Sequence, residues 1–154
     1  MSQFACIRLE DEAATAAIAG QIAARLGPGD TLLLEGSIGA GKTTFARALI
    51  RARLGRPQED VPSPTFTLVQ THEADGVEIW HCDLYRLTDG QDILELGLED
   101  AFATAICLIE WPDRLGPDLP ADALICCFEA GTGHHGLTLC GSDTWQARLE
   151  AMYD

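Results

Sequence analysis

The sequence predicts an α/β fold, a three-layer sandwich in which a mixed, mainly parallel sheet containing an antiparallel hairpin lies between helices. Two continuous apolar runs, Thr31–Leu34 and Ala105–Ile109, have the composition of strands that are buried on both faces. The first run ends in a glycine-rich turn, Gly36–Gly41, after which a helical pattern begins. Strands and helices alternate at both ends of the chain, and this alternation is typical of a sheet that is covered by helices.

The N-terminal third begins with an alanine-rich helix at Asp11–Leu26, where apolar residues recur at helical spacing. The segment Gly27–Asp30 stops this helix. The strand Thr31–Leu34 follows, and a second helix is predicted after the glycine turn, from about Lys42 to Leu54.

The middle of the chain is predicted to hold a loop and a hairpin. Pro57–Pro64 is polar and interrupted by prolines, so we expect a surface loop that is poorly anchored by apolar residues. Thr65–Gln70 and Val77–Cys82 have strand composition, and the turn-like Glu73–Gly76 joins them. A short, broken helix is predicted at Leu94–Phe102.

The C-terminal third adds strands at Ala105–Ile109, Ala123–Phe128 and Gly136–Cys140, and a closing helix from about Ser142 to Met152. The adjacent His134 and His135 precede the last strand. Neighbours on a strand face opposite ways, so we interpret them as solvated turn residues and not as a metal pair.

Composition limits the classes of function. The chain has 154 residues, which predicts one domain over residues 1–154. Its net charge of −14 repels phosphate backbones and argues against binding to DNA or to nucleic acid in general. The six cysteines are scattered without CxxC pairs, as expected of a reduced, cytoplasmic protein. No apolar stretch approaches the roughly 18 residues of a membrane span.

The segment Gly36–Thr43 fits the GxxxxGK[ST] pattern of a P-loop (Walker A motif) between a predicted strand and a predicted helix. Its glycines let backbone N–H groups face phosphate oxygens, and the helix N-terminus adds partial positive charge. Lys42, the only lysine in the chain, is expected to bind the β- and γ-phosphates, and the Thr43 hydroxyl to bind Mg²⁺. A glycine turn that merely caps a helix is the alternative, but such a turn requires neither side chain. The pattern therefore predicts a P-loop NTPase-like fold.

Two acids stand where a P-loop enzyme requires a carboxylate near its metal and a group that orients water. Asp83 follows the strand Val77–Cys82 and Glu110 follows Ala105–Ile109, at strand ends where open α/β sheets bind ligands. An ordinary acid in a strand-end turn is the alternative for each.

The loop Ser63–Thr67 (SPTFT) lies between the P-loop helix and the first of these acids. GTPases use a threonine in such a loop to sense the γ-phosphate. An ordinary Ser-Pro turn at the start of a strand is the alternative.

Five segments, in their order and spacing, resemble the TsaE family (formerly YjeE), the small bacterial ATPases of tRNA threonylcarbamoyladenosine synthesis. The segments are GSIGAGKTT at 36–44, SPTFTL at 63–68, HCDLYRL at 81–87, ELGL at 95–98 and IEWP at 109–112. The resemblance extends from about Asp11 to Phe128.

The resemblance implies the following roles. Mg²⁺ would be held by Thr43 and Glu110, and Asp83 would be needed for hydrolysis. The SPTFT loop would act as a switch through Thr65. ATP would be bound by the P-loop, and Glu12, an acid early in the first helix, would lie near the base. The expected nucleotide-binding residues are therefore Glu12, Gly39, Ala40, Gly41, Lys42, Thr43 and Thr44.

The family acts with the TsaB–TsaD threonylcarbamoyl transferase pair on the adenine next to the anticodon. The resemblance thus implies a weak, partner-stimulated ATPase that meets tRNA only indirectly. Residues 131–136 lack an arginine that the family often has near the nucleotide, so no contact is carried over there. Ser37 replaces a frequent acid.

Other features leave alternatives open. The cluster Arg47, Arg51, Arg53 and Arg56 is either a solvated helix face or a docking patch for a partner. His81 is more typical of a structural histidine than of a base, and Trp111 should lie near the nucleotide if Glu110 lies at the metal. A small kinase that phosphorylates a metabolite and a nucleotide-gated binding module without hydrolysis are the alternative functions.

Overall fold

One mixed sheet organises the chain. A computed structural model describes residues 2–37, 39–64, 67–89, 92 and 97–152. Within these residues seven strands pair in the order β1-β7-β6-β2-β5-β4-β3. Their bounds are β1 Ser2–Leu9, β2 Thr31–Gly36, β3 Val69–Ala74, β4 Val77–Asp83, β5 Ile106–Glu110, β6 Leu124–Ala130 and β7 His135–Gly141.

The four central strands, β6, β2, β5 and β4, run parallel. The outer pairs β1–β7, β7–β6 and β4–β3 are antiparallel. Parallel pairing brings the carboxyl ends of the central strands to one edge, where Asp83 is paired with Glu110 and Glu110 with Leu34. The P-loop follows β2 at the same edge, so the topology collects the predicted site residues there.

Helices cover the sheet on both faces. The α-helices of the described residues are α1 Glu12–Ala23, α2 Lys42–Leu54, α3 Leu98–Thr104 and α4 Asp143–Leu149. Alternation along β2 directs its side chains to two separate buried clusters. Leu32 and Leu34 pack with residues of α1, α2 and α4, whereas Leu33 packs with residues of α3. The predicted three-layer α/β sandwich with a mixed sheet is confirmed.

Local chemistry explains the helix boundaries. The carboxylate of Asp11 accepts a hydrogen bond from the Ala14 N–H at 2.8 Å and caps α1, and the Ser142 hydroxyl caps α4 in the same manner. Helix α2 has the predicted bounds and ends at Gly55, whose left-handed backbone (φ 68°) closes the last turn.

Two strand predictions need correction. The edge strand β1 is missing from the sequence prediction, although it pairs with β7 along its whole length. Strand β3 begins at Val69 and not at Thr65, because Leu68 takes a left-handed backbone (φ 68°) that interrupts an extended strand. Residues 65–66 and 94–96 lie outside the described residues, so the predicted start of the broken helix at Leu94 is not described, and α3 begins at Leu98.

The expectation that residues 57–64 form a poorly anchored loop is wrong. Val61 has 0% of its surface exposed and packs in the cluster beneath α1 and α2. The Arg51 side chain donates to the Glu59 carbonyl at 2.8 Å. The buried Val61 and Pro64, together with the contact from Arg51, therefore attach a polar loop to the body of the protein.

Candidate functional site

The turn between β2 and α2 is shaped by glycines with positive backbone φ angles. Gly36 has φ 140°, and a Cβ there would lie 2.4 Å from the Phe128 carbonyl oxygen, so the turn accepts only glycine at this position. Gly41 caps α2 with a left-handed backbone (φ 107°). Because the free N–H groups at the start of α2 follow directly, the loop offers its donors and the helix dipole to an anion.

Lys42 lies across this loop. The side chain is 5% exposed, and its Nζ donates to the Gly36 carbonyl and, at 3.0 Å, to the Ser37 carbonyl. The amine also lies 4.1 Å from the centroid of the Trp111 ring. Burial lowers the pKa of Lys42, and the nearby charges of Glu110 and Asp83 oppose that shift.

Thr43, Glu110 and His81 form a buried chain of hydrogen bonds. The Thr43 hydroxyl donates to Oε1 of Glu110 at 2.7 Å, and Nε2 of His81 lies 2.7 Å from Oε2 of the same carboxylate. His81 is 0% exposed and Glu110 is 2% exposed. A carboxylate this deep needs partners on both oxygens, and the chain supplies one on each.

Asp83 lies beside this chain at the end of β4. One of its oxygens accepts from the Tyr85 N–H at 3.1 Å. Burial raises the pKa of Asp83, and the Glu110 charge adds to that effect. The Tyr85 hydrogen bond, His81 and Lys42 oppose it. The balance favours a carboxyl that can take up a proton more readily than an exposed aspartate.

These groups line one cleft of about 720 Å³. All the predicted site residues that the structure describes lie on its wall: Glu12, Gly39, Ala40, Gly41, Lys42, Thr43, Thr44, Asp83 and Glu110. Thr65 is outside the described residues. Within the described part of the chain, no group of three or more His, Cys, Asp or Glu side chains is placed to hold a metal ion.

The cleft also contains residues that sequence reasoning treated differently. His134 and His135 line its wall and are partly buried. His134 lies in the turn, as expected, whereas His135 is the first residue of β7, so the turn interpretation is wrong for His135 only. Gly131 and Gly133 of the same β6–β7 hairpin lie beside them. The turn folds back because the Gly131 N–H donates to the His134 carbonyl at 2.8 Å.

Trp111 lies on the cleft wall, as its position after Glu110 suggested. Its left-handed backbone (φ 59°) is unusual for a bulky residue. The ring packs against Tyr85 with centroids 4.8 Å apart and the two planes tilted by 52°, and it also contacts the Lys42 amine. The aromatic pair and the cation–π contact hold the indole beside the loop.

Comparison with known proteins identifies the family. The profile described as "Threonylcarbamoyl adenosine biosynthesis protein TsaE" matches residues 9–135. A tRNA threonylcarbamoyladenosine biosynthesis protein TsaE from Rickettsia bellii is 42% identical over 73% of this chain and 77% of its own length. The chain belongs to the TsaE family. A TsaE from Bacillus subtilis is 40% identical over 71% of this chain and 68% of its own length.

The fold agrees with this family. The crystal structure of Bacillus subtilis YdiB superposes with a TM-score of 0.79 at 30% sequence identity, over 99% of this chain and 95% of that one. The TsaE resemblance and the P-loop NTPase-like fold predicted from the sequence are thus confirmed. Among the described residues, no helix of this TsaE-family chain has the length and apolar character needed to cross a membrane.

Proposed function

We propose that this chain is a Mg²⁺-dependent ATP-binding protein and weak ATPase. In this proposal it supports threonylcarbamoylation of the adenine next to the anticodon in tRNA, as an accessory to the TsaB–TsaD transferase. The observation that carries the proposal is the convergence of Lys42, Thr43, Glu110 and Asp83 on one cleft beside the loop. Family membership supplies the pathway.

The loop fits the phosphates of ATP. Its glycines have no side chains to block approach, α2 begins at Lys42, and the Lys42 amine is the cation of the loop. The N–H groups of Gly39 to Thr44 would bind phosphate oxygens, and Lys42 would bind the β- and γ-phosphates. Glu12 lines the cleft after β1 and would lie near the base or the sugar.

The donor set near Thr43 fits Mg²⁺. Magnesium in nucleotide sites is commonly bound through one or two protein oxygens together with phosphates and water, so a three-residue cage is not required. The Thr43 hydroxyl and Oε1 of Glu110, which lie 2.7 Å apart, would hold it. When bound, the ion would neutralise charge on the phosphates.

Asp83 would act on the attacking water. It lies at the same strand edge as Glu110, and burial raises the pKa of its carboxyl, which favours proton uptake. Arg86 lines the same cleft and would supply positive charge from within the chain. Thr65 would approach the γ-phosphate as part of the switch.

The accessory role rests on the size of the cleft and on charge. A cleft of about 720 Å³ is within the usual range for one small-molecule ligand. The net charge of −14 disfavours direct approach to tRNA, so tRNA would be met only through the partner complex. The six free cysteines fit a reducing compartment, which we propose to be the cytoplasm.

The test measures ATP turnover by the isolated chain and by the chain with TsaB and TsaD, with metabolites offered as phosphate acceptors. We expect slow release of phosphate to water, acceleration by the pair, and loss of turnover in Asp83→Ala. Thr71→Ala, which removes an exposed hydroxyl on β3, serves as the control and should match the wild type.

Two results would replace the proposal. Turnover of about ten per second or more by the isolated chain, unchanged by the partners and with transfer to a metabolite, would indicate a kinase. Tight ATP binding with no hydrolysis in the complex would indicate a nucleotide-gated binding module.

A further inference from the structure

We propose that His81 is a positioning residue for Glu110, which it holds so that a single carboxylate oxygen faces Thr43 and the metal. The inference rests on the proposed function, because it concerns how the Mg²⁺ ligand is oriented. The sequence favours a structural histidine over a base at position 81 and leaves the choice open. In the structure, Nε2 of His81 lies 2.7 Å from Oε2 of Glu110, which makes His81 a direct partner of a proposed site residue.

The two oxygens of Glu110 are divided between two donors. Oε1 receives the Thr43 hydroxyl at the cleft, and Oε2 is bound by His81 behind it. With both ends held, the carboxylate cannot rotate about its terminal bond without breaking a buried hydrogen bond. Glu110 is therefore presented to the cleft in one orientation.

The strand register explains why His81 can only act through Glu110. Asp83 is paired with Glu110 in the sheet. His81 precedes Asp83 by two residues on β4, so the side chains of His81 and Asp83 point to the same face of the sheet. Asp83 lines the cleft, whereas His81 is absent from its lining and has no exposed surface. It touches the carboxylate and does not reach the cleft itself.

A metal-binding carboxylate only accepts hydrogen bonds, so in the proposed site Nε2 of His81 is the donor to Oε2 of Glu110. The other ring nitrogen, Nδ1, is buried and has no hydrogen-bond partner among the described residues. Among the residues that the structure describes, the ring thus makes its one polar contact with Glu110. A histidine retained merely to fill core volume would leave two buried nitrogens without a role, at a cost that an apolar side chain avoids.

Two substitutions separate positioning from core filling. His81→Gln can place an amide N–H close to the position of Nε2, whereas His81→Leu keeps similar volume without a donor. His72→Leu is the matched control, because His72 lies on the neighbouring strand β3 and also has a buried, unpartnered ring nitrogen, Nε2. Circular dichroism and thermal unfolding confirm that each variant folds.

The readout is the ATP dissociation constant in Mg²⁺ and in EDTA, and the ratio of the two is the enhancement by magnesium. Partners that orient metal ligands change metal affinity by about 10- to 100-fold, so His81→Leu should lower the enhancement by about tenfold. His81→Gln should stay within about threefold of the wild type, and His72→Leu should match it. All variants should keep the wild-type affinity in EDTA.

The inference fails if folded His81→Leu keeps the wild-type enhancement, if His81→Gln loses as much as His81→Leu, or if His72→Leu loses it too. If His81→Leu does not fold, His81→Asn takes its place. Its amide is too short to reach Glu110, so it should lose the enhancement that His81→Gln keeps, and equal values for the two would overturn the inference. A wild type without any enhancement by Mg²⁺ would contradict the proposed function itself, which is a different result from failure of the His81 variants alone.

Discussion

Val61→Ala should lower the free energy of unfolding of the whole protein, although the residue lies in a polar loop. Val61 is 0% exposed and packs with the cluster beneath α1 and α2. The substitution removes two buried methyl groups, worth about 0.8 kcal/mol each, or about 1.6 kcal/mol together. The cavity that remains raises the expected loss to about 2 kcal/mol.

The assay is urea unfolding without nucleotide, followed by tryptophan fluorescence. The midpoint should fall while the slope stays constant, because the same surface is exposed on unfolding. Val77→Ala, the same truncation at a partly buried site at the edge of that cluster, should cost clearly less. An unchanged midpoint, together with faster proteolysis within residues 57–64, would show that the loop opens independently of the core and would refute the reasoning.

Four further outcomes are expected. Lys42→Met should lose most ATP affinity. Because burial lowers the pKa of Lys42, the unfolded state binds more protons than the folded state between that lowered pKa and 10.5. The free energy of unfolding of the wild type, measured by urea titration, should therefore rise relative to that of the variant as pH increases through this window. Thr43→Ala and Glu110→Ala should weaken ATP binding in Mg²⁺ more than in EDTA, measured by calorimetry, and equal losses would contradict the metal assignment. Asp83→Ala should bind ATP but hydrolyse it about 100-fold or more slowly, measured by phosphate release. The isolated protein should not bind tRNA at physiological salt in a filter-binding assay, and micromolar binding insensitive to salt would oppose this.

The site was largely predictable because its chemistry is local in sequence. The P-loop pattern specifies the turn, the lysine and the start of α2, and that helix has the predicted bounds. Asp83 and Glu110 were found because each follows an apolar run, and parallel pairing brings such strand ends together.

The parts that were missed depend on contacts distant in sequence. β1 is an edge strand with only Leu9 buried among its described residues, so its apolar pattern is too weak to mark it without β7. Val61 is one apolar residue in a polar stretch. The contact between His81 and Glu110 joins two neighbouring strands, β4 and β5, and no spacing of residues along the chain predicts it.

The arginine cluster illustrates the same limit. Arg53 donates to the carbonyls of Ala23, the last residue of α1, and of Leu26 just after it, at 3.0 and 3.1 Å, and Arg51 donates to the Glu59 carbonyl. These side chains stabilise the end of a helix and a loop of the same molecule. Composition alone did not decide between a docking patch and a solvated helix face. Every residue has a backbone carbonyl, so the sequence does not show which carbonyls an arginine will bind.

The Lys42 amine donates to the carbonyls of Gly36 and Ser37 and lies against the Trp111 ring. An ammonium has three N–H donors, so phosphate oxygens at this amine would share it with these backbone oxygens or displace them. The contribution of Lys42 to ATP affinity is therefore the difference between the contacts that the amine gains with phosphate and the backbone contacts that it gives up. Trp111→Leu removes the ring from the amine and leaves both carbonyl contacts in place, so its effect on ATP affinity combines the freed amine with any lost contact between the indole and the nucleotide.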